Sequence, residues 1–154
     1  MNIEQDQAKQ VIVGNGFFKL GEFEKAIDIY TKIIDQLESK YQNIEQNDNE
    51  NNNDDENKDE VKMMRLDEND RKELTRLYTN RSICYHKLKN YKLSLNDANK
   101  AIEYDLNNTK AYYRSGYANY MLDNYLDALT TLKKCDETIT IGCLLYTSDA
   151  ADEE

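Results

Sequence analysis

Lys110 and Arg114 stand four residues apart in TKAYYRSGYANYM, a spacing that sets both cations on one helix face, one turn apart. An ammonium and a guanidinium placed so can hold an anion, and the guanidinium offers a two-pronged grip suited to a carboxylate. The alternative for such a pair is a solvated helix face. Little else in the sequence promises chemistry. Its three cysteines show no CxxC spacing and its histidine stands alone, so neither a zinc set nor a disulfide framework is expected. Cys84 and Cys135 fall at helix-core positions, where a thiol serves as a small hydrophobe. No nucleophile–base pair, phosphate loop or metal set is visible. Catalytic residues, metals and cofactors are therefore expected to be absent, and the chain is not expected to be an enzyme.

A chain of 154 residues, 39% hydrophobic and 32% charged, fits one ordinary domain or a short repeat array. No window is long or apolar enough to span a membrane, and MNIEQDQAKQ lacks the build of a signal peptide, so a cytoplasmic or also nuclear setting is expected. The formal charge of −10 is unevenly spread. Residues 42–60, QNIEQNDNENNNDDENKDE, hold eight acids against one lysine, and four more acids close the chain, which leaves the remainder nearly neutral. The 42–60 run has a single aliphatic residue and cannot bury enough surface to offset its ordering entropy, so a disordered insertion is expected. It lacks the glycine and the spaced ligands of a calcium loop. No basic stripe with interleaved aromatics is present, and nucleic acid is not an expected partner.

The elements that position the cations show as an internal repeat. Sliding the chain by 34 residues lays Ser82, Leu88, Tyr91, Ser94, Ala98 and Ala101 on Gly116, Leu122, Tyr125, Ala128, Leu132 and Cys135. Sliding by 68 carries Gly14, Phe17, Leu20, Phe23, Ala26 and Tyr30 onto Ser82, Tyr85, Leu88, Tyr91, Ser94 and Ala98. Small residues meet small ones, and large apolar residues mostly meet their like. The Asn15-Gly16 step would ordinarily announce a hairpin, but Phe17, Phe18, Phe23, Ala26 and Tyr30 follow a helical period, which predicts helix interior there. The expected helices run over 4–20, 23–41, 62–88, 91–104, 108–122 and 125–138. Asp70-x-x-Glu73 has the form of a capping box and offers residue 70 as an alternative start for the third. Tyr78, Tyr85, Tyr91, Tyr112 and Tyr125 are expected to be packing residues.

The segments VGNGFFKLGEFEKAIDIYTKII, NRSICYHKLKNYKLSLNDANKAI and RSGYANYMLDNYLDALTTLKKC resemble the tetratricopeptide repeat (TPR), a helix-turn-helix unit of this period. The resemblance covers about residues 7–37 and 70–138. It implies an all-α solenoid of three hairpins: repeat 1 at 4–41, the insertion at 42–61, repeat 2 at 62–106 and repeat 3 at 107–142. Gly14, Ser82 and Gly116 are then close-approach sites facing Ala26, Ser94 and Ala128. The family's proline at the repeat ends is absent, with Glu38 and Leu106 in its place, so extended helices or turns such as Asn107-Asn108 must serve.

The resemblance extends to function. TPR arrays bind extended peptides on a concave face lined by their first helices. LYTNRSICYHKL resembles the second repeat of Hsp70- and Hsp90-binding co-chaperones, whose carboxylate clamp holds the two carboxylates of a chain-terminal Asp. On that likeness the clamp positions are occupied here by Asn15, Asn80, Lys110 and Arg114. A fifth clamp lysine is replaced by Val11, with Lys19 on the same helix as a partial substitute. His86, one turn beyond Ser82, either lines the same groove or is a lone surface histidine. The implied partner is the C-terminal peptide of an Hsp70/Hsp90-type chaperone, bound by a monomer. The other function implied is the targeting half of a larger enzyme, such as a U-box ubiquitin ligase or a TPR-linked phosphatase, or a TPR scaffold without a clamp. Residues 143–153, CLLYTSDAADE, resemble a translated sequencing adaptor, and the natural chain is expected to continue past about Gly142.

Overall fold

In a computed structural model the residues described are 3–48 and 63–137, and they form helices joined by short turns. Helices α1 (Ile3–Lys19) and α2 (Phe23–Asp48) make one hairpin, and α3 (Glu68–Lys87) and α4 (Tyr91–Tyr104) a second. Helix α5 (Thr109–Met121) pairs with α6, which is described over 125–137. Each helix from α1 to α5 packs on the next, and α3 also touches α5, so the second and third hairpins stack with their first helices side by side. This is the all-helical solenoid expected from the repeat. Among the described residues no helix is long and apolar enough to cross a membrane.

The repeat is written in the backbone as well as in the side chains. Each hairpin turns through one left-handed residue: Gly21 (φ 75°), Lys89 (φ 60°) and Asp123 (φ 63°). The same two hydrogen bonds close each turn. Gly21 N donates to Phe18 O and Glu22 N to Phe17 O; Lys89 and Asn90 donate to His86 and Tyr85; Asp123 and Asn124 donate to Tyr120 and Asn119. This pattern satisfies carbonyls that a helix end leaves open. Only the first turn uses glycine, and the other two accept a left-handed cost of about 1 kcal/mol each. Asn108 caps α5 by accepting from Ala111 N at 3.1 Å, which is how an Asn-rich turn replaces the missing proline before repeat 3.

The paired helices approach closely at the three expected sites. Ser82 and Ser94 exchange hydroxyl-to-carbonyl bonds at 2.7 and 2.9 Å, a contact that a larger side chain would prevent. A Cβ on Gly116 would come within 2.6 Å of Leu132 Cγ, and one on Gly14 within 2.9 Å of Tyr30 Cε1. At Gly14 the nearest atoms belong to Tyr30 and Ile29, one turn beyond the expected Ala26, as at Gly116 Leu132 comes nearer than Ala128. The reason is that side chains on a helix lean towards its N-terminus, so a long residue one turn later covers the spot.

The sequence boundaries need three corrections. Helix α2 was expected to end at 41 but runs to Asp48, into the acidic segment; the rest of that segment, 49–62, lies outside the described residues, as does 138–154. Buried Leu37 and Tyr41 anchor this extension, and continuing a formed helix through Gln and Glu costs little per residue. Glu38, in the place of the family's proline, continues α2 and accepts the hydroxyls of Tyr78 (2.6 Å) and Tyr104 (3.1 Å). The third helix does not run unbroken from 62: one turn at 63–65 is followed by a break at Leu66–Asp67 before α3. Nor is Asp70 a cap. Its carboxylate accepts Tyr41 Oη at 2.5 Å and Lys40 Nζ at 2.7 Å, bonds that outweigh its burial and hold it below the ordinary carboxylate range. Tyr78 and Tyr112 pack in the interior as expected, but Tyr125 is 59% exposed and bonds Asp123 on the surface.

Candidate functional site

The site grows from Tyr30, a fully buried residue on α2. Its hydroxyl donates to Asn15 Oδ1 on α1 at 2.7 Å, and the Asn80 side chain on α3 bonds the same hydroxyl. One phenol therefore joins two amides from different repeats. Burial pushes the Tyr30 hydroxyl up to about 12, reinforced by Cys84 and opposed by the Asn80 bond. With Oδ1 of Asn15 occupied by Tyr30, its amide nitrogen is left to donate elsewhere. Both asparagines are half-buried, open on one side and fixed on the other.

The direction in which Asn80 points is set by its neighbour. Arg81 grips Asp97 on α4 with two bonds, 2.7 and 2.8 Å, and reaches Thr31 on α2 at 3.0 Å. A residue tied to the helices on either side fixes the rotation of α3 about its axis, and with it the face that Asn80 occupies. Sequence reading missed both Tyr30 as a connector and Arg81 as a lock. The signal for Tyr30 was its size: the matching position of repeat 2 is Ala98, and only a tyrosine reaches across with a polar tip.

The cations come from α5. Lys110 is exposed and lines a cavity of about 640 Å³ together with Asn80. Lys110 and Arg114 together line a smaller cavity of about 400 Å³ with Ile83 and Tyr113. Arg114 is half-buried, and its guanidinium sits 5.5 Å from the Tyr113 ring centre, a stacking that limits its swing. Lys110 thus shares one hollow with Asn80 and another with Arg114, while Asn15 joins Asn80 through Tyr30.

Three further residues complete the picture. Lys19 is exposed in the last turn of α1, one turn past Asn15, and lines neither cavity. Val11, in the place of the fifth clamp lysine, packs against the core. His86 is half-buried with its ring 5.4 Å from Tyr91 and 4.7 Å from Tyr117, so the reading of a lone surface histidine is corrected. Burial, then the charges of Arg114 and Lys87, lower its pKa. A neutral imidazole at the edge of the cation pair follows. Cys84 and Cys135 are buried and not joined in a disulfide, and burial pushes the Cys84 thiol up to about 12, which leaves it protonated and inert. Among the described residues no group of three or more His, Cys, Asp or Glu side chains could hold a metal ion. The arrangement can donate hydrogen bonds and present positive charge to an anion.

The tetratricopeptide repeat family matches residues 75–108. The chain is 30% identical over 122 residues to protein unc-45 homolog B of Danio rerio, covering 79% of this chain and 10% of that protein. It is 28% identical over 137 residues to heat shock protein STI1 of Saccharomyces cerevisiae, covering 89% and 17%. It is also similar, with a TM-score of 0.60 and 25% identity over 87% of each chain, to the second TPR of Spaghetti (RPAP3) bound to the HSP90 peptide SRMEEVD. The chain therefore spans only a small part of the curated relatives it matches.

Proposed function

This chain is a tetratricopeptide-repeat protein, and on that premise we propose that it is a binding module that takes the acidic C-terminal peptide of an Hsp70- or Hsp90-type chaperone in a carboxylate clamp. The observation that carries the reading is the junction at Tyr30, whose hydroxyl holds Asn15 and Asn80 together beside the hollow that Lys110 shares. Amide nitrogens of the two asparagines donate to the ligand carboxylates, Lys110 supplies a point charge, and Arg114 supplies a fork. Charge-assisted bonds of this kind contribute roughly 1.5–3 kcal/mol each when desolvated. Val11 withholds the fifth group. Lys19 is the cation that helix position offers in its stead, and His86 adds a neutral ring at the margin. The module acts as a monomer in the cytoplasm, with no catalytic residues of its own.

The test is direct. SRMEEVD with a free C-terminus is expected to bind at least about tenfold more tightly than the same peptide amidated, measured by calorimetry. Lys110→Ala or Arg114→Ala removes that difference. Equal binding of the two peptides by the unaltered chain refutes the clamp. A second reading, the targeting segment of a larger enzyme, is favoured by the likeness to the peptidyl-prolyl cis-trans isomerase FKBP4 of Homo sapiens, 27% identical over 132 residues, a protein of which the chain covers 24%. Coding sequence beyond residue 142 that encodes a catalytic domain would decide for it.

A further inference from the structure

We propose that the tip of the second hairpin docks on an anionic lipid surface, a role separate from the peptide-binding reading above. The turn from α3 to α4, KLKNYKL over 87–93, exposes Lys87, Lys89 and Lys92 together with Leu88 (38%) and Leu93 (40%). None of the three lysines makes an ion pair among the described residues. The chain has no acid between Glu73 and Asp97, and Arg81 engages both oxygens of Asp97. Two of these lysines stand where the backbone disfavours them. Lys89 is left-handed (φ 60°), in the place that Gly21 and Asp123 take in the other turns; glycine is unstrained there and aspartate is tolerated, but a long side chain is neither. Lys92 falls in the first turn of α4, at the positive end of the helix dipole, where the equivalent residue of α2 is Glu24. Strain kept at an exposed position points to a use for the side chain outside folding.

The neighbouring tip widens the surface. Bonds between α2 and α3 join Tyr41 to Asp70, Glu38 to Tyr78 and Thr31 to Arg81, so the two helices run antiparallel and the α1–α2 turn stands beside the Lys87 end of α3. There Leu20 is 74% exposed, and Glu22 is engaged by Lys25. Asp123 and Asp127 on the third tip end the cationic patch. The acid-rich run that begins at residue 42 is attached at the opposite ends of α2 and α3, about 30 Å away along the length of α3, so charge is polarised along the hairpins. An anionic bilayer matches both parts of this tip: its headgroups pair with the lysines, and its interfacial layer takes up the leucines. A dissolved polyanion would leave the leucines in water.

Flotation of the full chain with vesicles of phosphatidylcholine, alone or with about a third phosphatidylserine, tests this. The unaltered chain should partition onto the anionic vesicles at least about tenfold more strongly, a preference that shrinks at high salt. Each lysine near such a surface is worth about fivefold, so Lys87→Gln/Lys89→Gly/Lys92→Gln should weaken anionic binding about a hundredfold. Helix content by circular dichroism should stay unchanged, since all three side chains are exposed. Lys89→Gly alone should raise Tm while weakening vesicle binding about fivefold, a combination that general loss of structure cannot produce. Three results overturn the proposal: no preference for anionic vesicles in the unaltered chain, a preference that survives in the triple variant, or a single-stranded RNA oligomer that binds as tightly as the vesicles and is lost with the same lysines. Should the triple variant lose helix content, Lys89→Gly decides, and unchanged vesicle binding by it overturns the proposal.

Discussion

Replacing Tyr30 by Phe isolates the hydroxyl that joins the two proposed clamp amides. The ring stays and fills the same buried volume, so no cavity opens. What goes is the bond to Asn15 Oδ1 at 2.7 Å and the acceptor for Asn80. Leaving such groups unpaired costs roughly 1–3 kcal/mol when they are buried. Both asparagines are half-buried and can recruit water, which places the loss near the low end, about 1 kcal/mol. For a domain of this size that lowers Tm by about 3–5 °C. Binding should suffer separately, because each amide now rotates freely and must be ordered by the peptide. At roughly 0.5 kcal/mol or more per side chain, two amides weaken the free-acid peptide about fivefold. Tyr78→Phe is the control: its hydroxyl bonds Glu38, away from the clamp, so it should cost stability and leave peptide affinity alone. Calorimetry and thermal unfolding of both variants decide. If Tyr30→Phe melts lower yet binds SRMEEVD as tightly as the unaltered chain, the hydroxyl only stabilises the fold and its role in the site is refuted.

Two glycines in helices should respond in opposite senses. A Cβ on Gly16 meets nothing within 4 Å, so Gly16→Ala is expected to stabilise by about 0.5–1 kcal/mol, read as a higher urea midpoint. Gly116→Ala drives a Cβ to 2.6 Å from Leu132 Cγ and should destabilise by about 1–3 kcal/mol; a neutral result would mean that α5 and α6 do not pack as described. Alkaline pH gives a third check. Burial raises Tyr30 and Cys84 to about 12 and lifts Tyr78 as well, while the same groups ionise near 10 and 9 when unfolded. The unfolded chain therefore releases its protons first. Stability contributed by these groups is intact below about pH 9 and is lost as pH rises through 12. Chemical-denaturation midpoints that stay flat over that window would contradict the burial of these side chains.

Much of this protein is legible in its residue order. The spacing of small and large apolar residues fixed three hairpins, and the left-handed turns at Gly21, Lys89 and Asp123 recur at the same spacing. The positions of Gly14, Ser82 and Gly116 marked where helices must approach closely. The four-residue step from Lys110 to Arg114 put both cations on one face of α5, because helical periodicity is a local property that any window of the chain carries. Tertiary structure alone decided the rest. That Tyr30 joins Asn15 to Asn80, that Arg81 locks α3 to α2 and α4, and that Glu38 continues α2 and gathers two tyrosine hydroxyls all depend on how far each helix is rotated and slid against its neighbours. A hydrogen bond between helices tolerates only a few tenths of an ångström, whereas periodicity fixes a side chain's direction no better than to within a face. The pattern of residues names the faces, and only packing settles which polar atoms meet across them.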